Sequence, residues 1–127
     1  MVVDTQNTVD TYRQYIQTVL SERAHRASQP TNASEYEVQT VFDQAHDHYQ
    51  LLHIGWRGNK RQFGCILHVD IKDGLIWIQH DGTEEGLANR LVEMGVPKQD
   101  IVLAFHEPEI RHYTDFATGE RRVDNSV

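Results

Sequence analysis

Asp70 and Lys72 come closest to a catalytic motif in this sequence. They stand two residues apart in the alternating segment 62–72, so a strand would place the carboxylate and the amine on one face. Some metal-dependent nucleases use this acid-x-Lys form, in which the carboxylate binds metal and the amine polarises the phosphate or water. A second acidic ligand would have to be Asp43, Asp47 or Glu37. The spacing selects none of these, and the alternative is a solvated pair beside a turn.

A second polar group lies where an apolar strand meets a helix. Gln79, His80 and Asp81 close the strand, and Glu84 follows at the predicted start of the helix. A helix N-terminus attracts anions, so a phosphate or carboxylate could dock there. However, residues 81–84 have the spacing of a capping box, with Thr83 as the alternative cap, and the negative charges of Asp81, Glu84 and Glu85 already occupy that position. Capping is the more economical interpretation, and His106, after a later apolar run, is a further candidate for the same cleft.

The eight histidines raise the question of a metal site. His46 and His48 flank Asp47 at a turn, while others lie on predicted strands. Zinc requires three or four ligands at one point, and no spacing in this sequence fixes such convergence. The only cysteine, Cys65, falls in an apolar strand pattern and is predicted to be a buried, inert thiol. We therefore expect neither a metal ion nor a cofactor.

The first element that must position these residues is an N-terminal amphipathic helix. Its apolar stripe has three- and four-residue spacing and comprises Val9, Tyr12, Ile16, Val19, Leu20 and Arg23. Asn7 or Thr8 is expected to cap this helix. Residues 28–34 break the pattern and are predicted to form a loop.

Four strands are expected next, at about 36–42, 49–56, 62–72 and 75–79. Gly58-Asn59 and Asp73-Gly74 are hairpin signals, and such short links require antiparallel pairing. In the third strand, alternation predicts that Phe63, Cys65, Leu67, Val69 and Ile71 share one face. The four strands therefore form a meander.

The rest of the chain is predicted to add two helices and a strand. The second helix is expected to end at Gly95, with Val96 at the hydrophobic position after it and Pro97 preventing continuation. A fifth strand or extended segment follows at 101–105, and a short helix at 109–117. The fold class is α+β in a single domain, residues 1–127, with an ordered core at about 8–117 and a mobile tail at 118–127.

Large aromatic residues are numerous, and most of them are expected in the core. They are Trp56, Trp77, Tyr49, Phe63, Phe105, Tyr113 and Phe116. A meander covered by a few helices can leave a sheet face or edge exposed. Formation of a homodimer or higher homo-oligomer would cover it.

The net charge of −7 argues against direct binding to nucleic acid, which requires clustered cations. The densest basic group, Arg57, Lys60 and Arg61, is small. No apolar run approaches 18 residues and no signal-peptide pattern begins the chain, so we expect no membrane association and a cytoplasmic location.

Several segments together resemble the XisI family, the fdxN-element excision controlling factors of cyanobacteria. They are 47–52, 64–65, 68–74, 76–84, 95–106 and 115–117, in one collinear run within about 9–117. The resemblance implies an α+β protein needed for programmed excision of a DNA element. It also implies a separate recombinase and a nuclease-like, XisH-type companion.

The resemblance carries no agreed catalytic residues to this chain. We therefore predict a non-enzymatic accessory factor that binds a protein partner, either the XisH-type companion or the recombinase complex. Its acidic surface would complement a basic, DNA-binding partner. The alternative prediction is a metal-dependent nuclease that uses Asp70 and Lys72.

Overall fold

The protein is a five-stranded sheet with helices packed on it, as seen in a computed structural model that describes residues 5–27 and 36–120. The elements are α1 Thr5–Ala27, β1 Tyr36–Asp43, β2 His48–Arg57, β3 Lys60–Lys72, β4 Leu75–Asp81, α2 Leu87–Glu93, β5 Ile101–Leu103 and α3 Pro108–Arg111. A 3-10 turn, Lys98–Asp100, precedes β5. The predicted α+β architecture is confirmed. No helix of the described part is long and apolar enough to cross a membrane.

The strands lie in the sheet in the order β1-β2-β3-β4-β5. The first four pair antiparallel with their neighbours, as the short turns predict, whereas β5 pairs parallel with β4. Both hairpin signals are confirmed, since Gly58 has φ 63°, and Asp73 and Gly74 have φ 54° and 78°. These left-handed values are the ones that two-residue hairpin turns need.

Helix α1 packs its predicted stripe onto one face of the sheet, and Tyr12, Ile16, Val19 and Leu20 are buried there. The cap prediction is wrong, because the helix already contains Asn7 and Thr8 and extends back to Thr5. The predicted loop at 28–34 lies outside the described residues. The core is completed by the inward faces of the strands and by α2, with Tyr49, Leu67, Ile78 and Leu91 fully buried.

A bulge in β3 overturns the uniform alternation expected for that strand. Leu51 pairs with Leu67 but Leu52 pairs with Cys65, so Ile66 is an extra residue on β3. An inserted residue changes the phase of the side chains. Leu67 is therefore buried, whereas Phe63 is 66% exposed.

Helix α2 starts later and ends where predicted. The capping box is wrong because residues 82–86 precede the helix, which begins at Leu87. At the other end, Val96 N–H donates to Leu91 O and Gly95 N–H donates to Val92 O, both at 3.0 Å. This is a Schellman motif, with Gly95 at φ 111° and Val96 and Leu91 buried together.

The C-terminal region is less regular than predicted. Strand β5 ends at Leu103 rather than at 105, and α3 covers only Pro108–Arg111 instead of 109–117. Arg111 explains the compact turn, because its guanidinium donates to the carbonyls of Ala104, His106 and Thr118. Of the predicted tail, residues 118–120 are described and the rest is not.

Candidate functional site

The sheet face opposite α1 and α2 carries the polar residues that the sequence singled out, and we call it the open face. Residues paired across strands project to the same side, so the register assigns its members. One cross-strand row comprises Asp43, His48, Asp70 and Trp77. The next comprises Val41, Gln50, His68 and His80. The middle three strands therefore bring histidines and a carboxylate together.

Asp70 is the centre of this arrangement. Nδ1 of His48 and Nε2 of His68 both donate to Oδ1 of Asp70, at 2.8 and 2.9 Å. The other oxygen, Oδ2, accepts a hydrogen bond from Gln79 at 3.2 Å. Gln50 Nε2 in turn lies 3.3 Å from Nδ1 of His68. The hydrogen bond with Asp70 is the main cause that raises the pKa of His48 above its ordinary value.

A second bulge directs Gln79 toward Asp70. Val69 pairs with Ile78 and His68 pairs with His80, so Gln79 is the extra residue of β4. A bulge of this kind re-aims a side chain locally. From this position the Gln79 amide reaches the Asp70 carboxylate.

The geometry does not couple the predicted catalytic pair, Asp70 and Lys72. Lys72 Nζ lies 4.9 Å from the centroid of the Trp77 ring, and no ion pair joins it to Asp70 in the described part of the chain. Two of the three acids considered as second ligands have other partners. Asp47 accepts two hydrogen bonds from Arg13, and Asp43 accepts two from His46, one from its backbone N–H and one from its ring.

The polar residues predicted to form a site between β4 and α2, namely Gln79, His80, Asp81, Glu84 and His106, do not form one cluster. Gln79 turns to Asp70, whereas Oδ2 of Asp81 accepts the N–H of Leu87 at 2.7 Å and Oδ1 accepts the N–H and hydroxyl of Thr83. Asp81 is thus the side chain that satisfies the start of α2. His80 and Glu84 are exposed, and the ring of His106 stacks obliquely on Phe105 at 4.6 Å. Among the described residues, no contact joins these five into one site.

Sequence reasoning missed the convergence of His48 and His68 on one carboxylate. The run 46–48 looked like a unit, yet its three members bond to different partners: His46 to Asp43, Asp47 to Arg13, and His48 to Asp70. The pairing of His48 with Asp70 would have revealed it, but that pairing depends on the register between β2 and β3.

The other half of the open face is mostly apolar on β2 and β3, whereas Glu37 and Gln39 lie beside it on β1. Leu52 pairs with Cys65, and Ile54 pairs with Phe63, in two rows next to the histidines. Trp56 is 54% and Phe63 66% exposed, and Phe105 and Tyr113 elsewhere are exposed as well, which contradicts the expectation that most of the seven large aromatic residues are core. Cys65 is half-buried rather than buried, and burial raises the pKa of its thiol, as an inert cysteine requires.

The basic group predicted from sequence lies at the β2–β3 hairpin, beside this apolar area. Arg57, Lys60 and Arg61 are exposed, and the Arg61 guanidinium lies 5.3 Å from the Trp56 ring centroid. Three cations at one hairpin are few for a DNA-binding surface on a chain of net charge −7.

A cleft between α1 and α2 lies in a different part of the molecule. Its charged lining residues pair with one another, Arg23 with Glu85 and Arg90 with Glu22. These ion pairs hold the two helices together and do not touch the open face.

Known proteins place this architecture in one family. The model of the XisI protein family matches residues 6–118. A XisI-like protein from Anabaena variabilis is 38% identical, with a TM-score of 0.77 over 84% of this chain and 95% of its own. The fdxN element excision controlling factor XisI from the same organism is 31% identical, with a TM-score of 0.75 over 87% of this chain and 98% of its own. No protein of curated function matches. Because the family match spans nearly the whole chain, this protein belongs to the XisI family.

Proposed function

We propose that this protein is a non-enzymatic accessory factor of DNA-element excision, and that it acts by binding a XisH-type companion through its open face. A solved relative is described as an excision controlling factor, which supports the general role. The observation that carries the proposal is the exposure of Trp56, Phe63 and Val41 on one sheet face. Contiguous exposed apolar area is uncommon on monomers and is typical of interaction sites.

The chemistry of the apolar half suits a protein partner. Aromatic residues dominate the binding energy of interfaces, because large rigid side chains lose little entropy when they are buried. Trp56 and Phe63 would be the principal contacts, with Ile54 and Leu52 beside them on β2. The net charge of −7 would attract a basic partner at long range and accelerate association.

The test is binding of the purified XisH-type companion to the chain and to the Trp56→Ser/Phe63→Ser variant. We expect a complex at micromolar concentration, and at least about tenfold weaker binding of the variant, which corresponds to about 1.4 kcal/mol. Tyr113→Ser is the matched control, since Tyr113 is 90% exposed but follows α3 and is not part of β2 or β3, which carry Trp56 and Phe63. The control should bind as the parent does.

Three outcomes would overturn the proposal. The first is no complex at micromolar concentration and low salt, and the second is equal weakening by Tyr113→Ser. The third is a homodimer that Trp56→Ser/Phe63→Ser converts to monomer while the companion does not bind. Sedimentation of the chain alone identifies the third case, in which the open face would serve self-association.

A metal-dependent nuclease is the second candidate, favoured by the imidazoles that converge on Asp70. The position of Lys72 over Trp77 argues against the nuclease, because the amine would have to leave the ring to reach a phosphate. Plasmid nicking with magnesium, manganese or zinc separates the candidates. Nicking that Asp70→Ala abolishes would establish the nuclease, whereas no nicking, or equal nicking by both proteins, would eliminate it.

A further inference from the structure

Three side chains on the open face present metal-ligand atoms to one point, which we call the His48/His68/Asp70 triad. One ligand atom from each of His48, His68 and Asp70 lies within 4.8 Å of the ligand atoms of the other two. We propose that this triad binds a divalent transition-metal ion, with Zn²⁺ the best fit. This inference is independent of the proposed partner and was not evident from the sequence, where no spacing joins the three residues.

The distances suit an ion after a small adjustment. A tetrahedral ion about 2.1 Å from each ligand separates the ligand atoms by roughly 3.4 Å. The two imidazole nitrogens lie 2.8 and 2.9 Å from Oδ1 of Asp70. Loss of the two bridging protons and a widening of roughly half an ångström would convert the hydrogen-bonded triad into a coordination site.

The surrounding residues supply the outer hydrogen bonds that metal ligands generally have. Gln79 holds Oδ2 of Asp70 and leaves Oδ1 for the ion. Gln50 lies against Nδ1 of His68, and rotation of its amide presents Oε1 to that nitrogen. Nδ1 can then carry the proton while Nε2 binds metal, which is the tautomer that coordination requires.

The backbone makes the triad rigid. His48 and Asp70 are direct cross-strand partners, and His68 lies two residues from Asp70 on the same strand and therefore the same face. Sites built on strands are held more accurately than sites on loops. The bulge at Gln79 lets β4 contribute a fourth side chain, which holds Asp70 by a hydrogen bond.

The donor set selects the class of metal. Two imidazoles and one carboxylate suit Zn²⁺, Co²⁺ and Ni²⁺, whereas Mg²⁺ and Ca²⁺ prefer oxygen ligands only. His48 is more than half exposed, with a side-chain exposure of 54%, so a fourth position would face solvent and take water or an external ligand.

The test is calorimetric titration of the full-length, chelator-treated protein with ZnCl₂, supported by the visible absorption of the Co²⁺ form. We expect one ion per chain, and a loss of affinity in His68→Gln that is larger than in Gln79→Ala. Gln79→Ala should weaken binding by about 10- to 100-fold, as removal of an outer hydrogen bond to a ligand does. His80→Gln is the matched control, because His80 pairs with His68 across the strands but lies outside the triad.

A second measurement separates loss of the site from loss of the fold. Zn²⁺ should raise the Tm of the parent and of His80→Gln, and leave that of His68→Gln unchanged. Binding by His48→Gln and His68→Gln that equals the parent overturns the proposal. The proposal also fails if His80→Gln loses as much affinity as His68→Gln, or if the parent binds no Zn²⁺.

Discussion

Arg13 on α1 and Asp47 in the turn before β2 form a bidentate ion pair, with Nε to Oδ1 at 2.7 Å and Nη2 to Oδ2 at 2.9 Å. The same carboxylate accepts the hydroxyl of the fully buried Tyr49 at 2.8 Å. Asp47 itself adopts a left-handed φ of 58°. One side chain thus ties the helix, the turn and the core to one another.

Asp47→Ala should therefore destabilise the fold markedly. It removes the acceptor of a buried phenol, and an unsatisfied buried donor costs about 1–3 kcal/mol in unfolding free energy. Urea denaturation followed by circular dichroism measures the change. Asp115→Ala is the control, since Asp115 is 85% exposed and its contact with Lys98 is long, at 3.9 Å. The control should change stability by less than about 1 kcal/mol, and an equally small effect of Asp47→Ala would contradict the assigned role.

The stability supplied by Asp47 should depend on pH. The hydrogen bond from Arg13 holds the pKa of Asp47 below its usual value, against the opposing effect of burial. In the unfolded chain this carboxyl has a pKa of about 3.9, so the unfolded chain binds more protons than the folded chain as the pH falls through this range. The stability that Asp47 contributes is therefore fully present above that pH. It is lost as the pH falls through the folded pKa. Denaturation at a series of pH values should show that the difference in unfolding free energy between the parent and Asp47→Asn shrinks below about pH 4. A difference that stays constant down to about pH 2 would disprove the linkage.

Asp81 should act as a structural cap rather than as a ligand-binding residue. Asp81→Ala removes the acceptor of the Leu87 N–H and of the Thr83 N–H and hydroxyl. Loss of such a cap lowers the unfolding free energy by about 1–2 kcal/mol. Glu84→Ala, three residues later and exposed, should stay within about 0.5 kcal/mol of the parent. Equal effects of the two substitutions would mean that Asp81 does not cap α2.

Gly119 and Gly58 make a matched pair for the packing of the C-terminal segment. Both have a left-handed φ, 75° and 63°, so alanine strains the backbone at either position. A Cβ at Gly58 would meet open space, whereas at Gly119 it would lie 2.6 Å from Cη2 of Trp77. We expect Gly58→Ala to cost about 1 kcal/mol and Gly119→Ala more, because overpacking adds about 1–3 kcal/mol.

Tryptophan fluorescence reports this displacement directly. In a Trp56→Phe background, Trp77 is the remaining tryptophan. Gly119→Ala should shift its emission, because the segment moves off the ring, and Gly58→Ala should not. Identical spectra for the two variants would show that residue 119 does not pack on Trp77 in solution.

Much of the fold was predictable because local chemistry determined it. Gly95, Val96 and Pro97 specify the end of α2, since a left-handed residue, an apolar residue and a helix breaker must follow in that order. Asp73-Gly74 specifies a tight hairpin for a similar reason. The apolar stripe of α1 could be predicted from the helical period alone.

The wrong predictions concern features that a neighbouring strand or a side-chain contact determines. The bulges at Ile66 and Gln79 cannot be read from an alternating sequence, because they exist only in relation to the neighbouring strand. The start of α2 was misplaced because Asp81 accepts hydrogen bonds from both Thr83 and Leu87, and the turn at Thr83 takes the place of the first helical turn that the spacing predicted. The convergence on Asp70 required the register of β2 and β3, which no local signal contains.

The strands lie in the sheet in the same order as in the chain, but the last pairing closes a much longer segment than the others, and this has a consequence for folding kinetics. The first three pairings close turns of two to four residues, whereas β5 must close residues 82–100 to reach β4. Loop-closure entropy rises with length, and contacts close in sequence form fastest. The transition state for folding should thus contain the hairpins and lack β5. Destabilising changes in the hairpins will then slow refolding, and those at Val102 will mainly accelerate unfolding.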